Sequence, residues 1–175
     1  MKMGYPEYIV ETKSREELRD LAYAMREALG LKDALWFPIV ETLDVLADVI
    51  AGFSYEIVED DALPTGVHAD TDIRTGHIRI KESVYNGACD GQGRDRMTIA
   101  HELGHYLTLC WCGFKLQRNF NNEYVIAPND PEWQAKCFAG ELLVPHHLTK
   151  GMDRYDIAVE CGVSLEAAEV QIRNR

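Results

Sequence analysis

At 175 residues, with 46% hydrophobic and 27% charged positions, the chain has the size and balance of one domain with a substantial core. A formal net charge of −11 argues against general nucleic-acid binding, because a surface that tracks phosphates needs a cationic excess. The opening residues MKMGYPEYIVETKSREE hold no sustained apolar run, and no stretch approaches the roughly 20 apolar residues that span a bilayer. A cytoplasmic protein with no membrane segment is therefore expected.

In chain order, Ser14 with Glu17 forms a capping box, after which Leu18, Leu21, Ala22, Met25 and Leu29 make an apolar stripe ending at Gly30. A second helix is expected from Pro38 to about Ala51, before Gly52. The period then changes: YEIVE (55–59), GVHAD (66–70) and HIRIK (77–81) predict three short strands between proline and glycine turns. The glycine-rich NGACDGQG leads to a helix from about Arg94 to Leu109 that is apolar on more than one side, the mark of a central, buried helix. Residues 113–129 read as a loop or hairpin over the surface. Asp130 and Pro131 announce another helix as N-cap and first helical residue, and Pro145 ends it. The remainder predicts two short helices broken at Gly162. The five cysteines (Cys89, Cys110, Cys112, Cys137, Cys161) are odd in number and read as free thiols packed as small hydrophobes. Their spacing does not fit a zinc ribbon.

Within RMTIAHELGHYL (96–107), His101 and His105 lie four apart, about 40° around one helix face, so both can grip one ion. Glu102 reaches the same side without displacing either ligand. Zinc suits neutral imidazoles, lowers the pKa of a bound water and keeps a position open for chemistry, while a carboxylate beside that water can move its proton. Three ionisable groups inside an otherwise apolar helix are costly unless paired or metal-bound, which favours a metal centre over a chance match. Gly104, between the histidines, suggests a close approach there.

The third ligand must come from downstream, where Glu123, Glu132, Glu141, His146 and His147 are candidates. Glu132 and Glu141 are nine residues apart, about 180° on a helix, so only one can face the metal. Glu132 shares its face with Ala135, Ala139 and Leu143 and sits in the first turn, where the helix dipole favours a negative charge. Glu141, beside Cys137 and Phe138, reads better as a structural carboxylate paired with a cation. Geometry thus favours Glu132 without excluding Glu141. Tyr124 and His146, with Arg118 and His147, are the residues of flanking segments that could stabilise a transition state, although each also reads as a surface or packing residue.

TIAHELGHYL (98–107) followed by EWQAKCFAGELLVP (132–145) resembles the ImmA/IrrE-type zinc metallopeptidase family, whose members carry a TIAHELGH helix and then an E-x-x-A-N-x-F-A-A-x-L-L-M-P helix. The likeness extends weakly to HIRIKE (77–82) and to IAVECGVSLEAAEVQIR (157–173). It implies that His101, His105 and Glu132 bind Zn2+ and that Glu102 is the general base. The chain departs from the family pattern at Lys136, Gly140 and Leu109, none of them a ligand.

The fold expected is α+β and zincin-like. A central HExxH helix packs with N-terminal helices and a small three-stranded sheet in residues 1–147, and residues 148–175 form a short helical extension packed on it. The resemblance implies a metalloendopeptidase whose protein substrate is a helix-turn-helix repressor or antitoxin of a phage or mobile-element module. It also implies that some members act as the toxin-like partner of a two-gene module. Two readings of other kinds compete. One is a docking module that holds such a repressor without hydrolysing it. The other is a DNA-binding regulator that uses the C-terminal helix pair, where Ala158, Gly162 and Ala168 have helix-turn-helix spacing. The second is weakened by Glu166 and Glu169, which would face phosphates.

Overall fold

The structure, a computed structural model, describes residues 8–111, 117–118 and 125–175. Helix α1 (Arg15–Ala28) opens on the capping box: the Ser14 amide donates to Glu17 Oε2 at 2.7 Å and the Glu17 amide returns to Ser14 Oγ at 3.2 Å. It buries Leu18 and Ala22 and is followed by Gly30 at φ +71°, a left-handed position that suits glycine. Helix α2 (Ile39–Val49) begins one residue later than expected, with Pro38 outside the helix as its N-cap.

Three strands form one sheet in the order β2 (Ser54–Val58), β4 (His77–Lys81), β3 (Ala69–Asp72). β2 runs parallel to β4, and β3 antiparallel to it. Alternation separates two faces: Ala69, Ile78 and Ile80 are buried on the inner one. The outer one carries the row Glu56, Arg79, Asp70, with Arg79 forked onto Asp70 at 2.9 and 2.5 Å. β3 starts three residues later than the alternation suggested, because a turn closed by the Val67 amide on the Pro64 carbonyl (3.0 Å) uses those residues first. The β3–β4 turn needs Gly76 twice over: its φ is +74°, and a Cβ there would lie 2.8 Å from the Gly52 carbonyl oxygen and from the Tyr106 ring.

The first half of the glycine-rich stretch, Asn86–Cys89, instead completes a helix, α3 (Glu82–Cys89), and only residues 90–92 connect it to the next. Its Gly87 leaves room for the Asp95 side chain of the following helix, and Val84 and Ala88 are buried. Helix α4 (Gly93–His105) carries the HExxH sequence through the centre, then widens into π-helical turns over Tyr106–Trp111 rather than continuing as α-helix. There Thr108 Oγ1 donates to the Gly104 carbonyl at 2.8 Å, a side-chain bond that competes with the regular ladder.

Of the stretch 113–129, Gln117–Arg118 forms β5, paired antiparallel with β1 (Tyr8–Ile9), and Ala127–Asn129 makes a 3-10 turn; residues 113–116 and 119–124 lie outside the described residues. Helix α5 (Pro131–Leu143) starts as expected, with Asp130 Oδ1 accepting from the Glu132 amide at 2.9 Å. Short α6 (His146–Thr149) precedes α7 (Arg154–Cys161) and α8 (Leu165–Arg173), which are broken by left-handed Gly162. The tail is joined to the centre by Arg96 of α4, buried and donating to the carbonyls of Phe37 and Gly162 at 2.9 Å each. Among the described residues no helix is long and apolar enough to cross a membrane.

Candidate metal centre

Helix spacing and one close helix contact build the site. His101 and His105 project one turn apart from α4 with their Nε2 atoms 3.0 Å from each other. Helix α5 crosses at Gly104, where a Cβ would lie 2.9 Å from the Ala135 carbonyl oxygen. That approach brings the first turn of α5 over the histidines: Glu132 Oε2 is 3.3 Å from His101 Nε2, and Oε1 is 3.1 Å from His105 Nε2. One ligand atom from each of the three residues lies within 4.8 Å of the others. Tetrahedral ligands at roughly 2.0–2.1 Å from an ion stand about 3.3 Å apart, so the observed spacings suit a single metal. The donor chemistry agrees, two imidazoles and a carboxylate. Hydrogen bonds from His101 and His105 hold the Glu132 carboxyl far below the usual carboxylate range, so its oxygens are anionic.

Glu102, the residue between, is 7% exposed, and its Oε2 accepts from Thr71 Oγ1 at 2.7 Å. A cleft of about 500 Å³ opens over these groups. Its walls are residues 66–71 leading into β3, then Ile73, Thr98 and Leu109, and Pro131 at the start of α5. At its rim an Arg94 N–H donates to His68 Nε2 at 2.8 Å, so that nitrogen carries no proton in this contact.

Other residues singled out in the sequence are elsewhere. Glu141 faces α1 on the opposite side of α5, its side chain 1% exposed, and takes Arg15 at 2.9 Å and Arg19 at 2.8 Å. It is a structural carboxylate. His146 lines a separate small cavity with Arg19, Tyr23 and Glu141, and is not brought into the cleft. His147 contacts the Lys32 carbonyl oxygen at 2.7 Å in the same region. Tyr124 and Glu123 lie outside the described residues, and of Arg118 only the backbone position in β5 is described. Thr71 escaped the sequence reading because the strand expected there ended at Asp70. Its signal was a hydroxyl at an inward position of the alternation Ala69, Asp70, Thr71, Asp72.

A central HExxH helix, a glutamate supplied by a second helix, and a small mixed sheet along one wall of the cleft define a zincin-like metallopeptidase domain. The sequence profile of the IrrE N-terminal-like domain of the M78 peptidases matches residues 57–173. The chain belongs to this ImmA/IrrE family of metalloendopeptidases. No curated protein matches the sequence significantly. Among solved structures, a Mycobacterium tuberculosis transcriptional regulator is similar with a TM-score of 0.57 at 20% identity, over 87% of this chain and 45% of its own. The likeness is one of fold, and the present chain spans under half of that protein's length.

Proposed function

We propose that the chain is a zinc-dependent endopeptidase that hydrolyses a peptide bond in a protein substrate. The observation that carries this reading is the convergence of His101, His105 and Glu132, with the Glu102 carboxylate buried beside them at the floor of an open cleft. The three donors would hold the metal, and zinc is the ion that best suits two imidazoles and one carboxylate with a position left open. Bound there, a metal supplies Lewis acidity toward a water and a carbonyl oxygen. Glu102 takes the proton of the attacking water on its free carboxylate oxygen and delivers it to the departing amide nitrogen. β3 is an outer strand of its sheet and leads into one wall of the cleft, so an extended substrate segment can lie along it as an added strand.

The family resemblance supports a helix-turn-helix repressor or antitoxin of a phage or mobile-element module as the substrate, met in the cytoplasm. It also supports a toxin-like role in a two-gene module. Residues 148–175 act in this reading as a helical extension packed on a peptidase domain of residues 1–147, and the contacts of Arg96 with Cys161 and Gly162 support that packing. The test is to incubate the zinc-loaded protein with the repressor encoded beside its own gene. Cleavage by the wild type and none by Glu102→Gln is expected. Equal binding without cleavage by both would replace hydrolysis with docking.

A further inference from the structure

Thr71 stands where the alternation of β3 turns a side chain inward. It is directly opposite Ile78 and faces the same side as Ala69 and Ile80, both buried. A hydroxyl on that face needs a partner, and α4 supplies one. Thr71 Oγ1 lies 2.7 Å from Glu102 Oε2 and 3.2 Å from the Glu102 carbonyl oxygen. The side-chain oxygen is the nearer of the two, so the single hydroxyl proton goes to Oε2. Among the described residues no other group donates to this carboxylate, so its other oxygen, Oε1, is left for a water in the cleft.

We propose that Thr71 is the positioning residue of Glu102, resting on the reading of that glutamate as the base. A glutamate side chain has three rotatable bonds, the last of which turns the carboxylate with little preference. One short hydrogen bond from the strand restricts that freedom and fixes which oxygen addresses the water. The clamp comes from the strand that a substrate would line, so a segment paired along β3 steadies the base through the same residue. Substrate recognition and base orientation thereby share one element.

The test uses acetohydroxamate, which chelates an active-site metal through its two oxygens and hydrogen-bonds to a carboxylate beside it. Its affinity for the zinc-loaded protein is measured by calorimetry, with zinc content and thermal unfolding followed in parallel. Thr71→Val, which keeps the shape and loses the hydroxyl, is expected to weaken binding about tenfold at unchanged zinc content. Thr71→Ser is expected to restore most of the affinity, and Glu102→Gln to weaken it at least as much as Thr71→Val. A wild type that binds no acetohydroxamate overturns the metal centre, and equal binding by Glu102→Gln overturns the assignment of the base, and either removes the reading on which the role of Thr71 rests. With those two controls as expected, Thr71→Val binding like wild type, or Thr71→Ser binding no better than Thr71→Val, overturns the role of Thr71 alone.

Discussion

Gly104 of α4 and Ala135 of α5 touch backbone to backbone: a Cβ on the glycine would stand 2.9 Å from the alanine's carbonyl oxygen and 3.0 Å from its Cα. This contact sets how far Glu132, three residues before Ala135, stands from the histidines on either side of Gly104. Gly104→Ala gains about 1 kcal/mol of helix propensity and loses about 1–3 kcal/mol to overpacking against a backbone that cannot yield. The expected outcome is a lower unfolding midpoint in denaturant together with weakened zinc binding. A variant as stable as wild type with full zinc affinity would show that the helix spacing is not set here.

Removing ligands and removing the base should separate cleanly. Elemental analysis is expected to find about one zinc per chain in the wild type and in Glu102→Gln. Little should remain in His101→Ala, His105→Ala or Glu132→Ala. Chelation of the wild type should lower its melting temperature, since a metal held only by the folded state stabilises it. Zinc lost from Glu141→Ala but retained in Glu132→Ala would reverse the ligand assignment.

Glu141 is expected to matter for stability and not for metal. Its carboxylate is buried between Arg15 and Arg19, whose side chains are 24% and 28% exposed. Glu141→Gln leaves two cations facing a neutral amide, with partial access to water to soften the loss. The expected cost is about 3 kcal/mol in chemical denaturation, the low end for breaking a buried pair, with zinc content unchanged.

Burial pushes the thiols of Cys137 and Cys161 up to about 11 from an ordinary value of 9.0. Between these values the folded chain holds protons that the unfolded chain has released, so stability falls as pH rises through that window. The denaturant midpoint is expected to change little between about pH 7 and pH 9 and to decline toward pH 11. Ellman's reagent at pH 8 should modify exposed Cys89 first and reach Cys137 and Cys161 only on unfolding. Rapid modification of the two buried thiols in the native protein would contradict their placement.

What could be read in the sequence is what is encoded locally. Ser14 with Glu17, and Asp130 with Pro131, mark helix starts through bonds formed within three residues, and both starts fall where expected. The pairing of His101 with His105 follows from helix pitch alone, and so does the opposition of Glu132 to Glu141. Helix α3 could not be read this way, because Asn86 and Gly87 are poor helix formers. Their conformation is supported by buried Val84 and Ala88 and by the Asp95 side chain, which needs the space Gly87 leaves. Thr71 acquires its meaning only from register with β4 and from a helix 31 positions away in the chain. The π-helical turns after His105 likewise depend on Thr108 bonding back to Gly104, a choice that helix periodicity does not reveal.

Arg96 has a mate in Arg26, 1% exposed, which donates to the Leu142 carbonyl at 2.5 Å near the end of α5, as Arg96 does to Cys161 and Gly162 at the end of α7. Each guanidinium sits where a helix runs out of amide donors and its dipole is negative. In a chain of net charge −11, these two interior cations are therefore neutralised largely by peptide groups. A lysine in either place would bring a point charge where a planar fork is required, able to satisfy one helix end but not the neighbouring carbonyls of Ala34 or Phe37 as well. Salt that screens the exposed charges therefore leaves the bonds of these two buried guanidinium groups to peptide carbonyls intact.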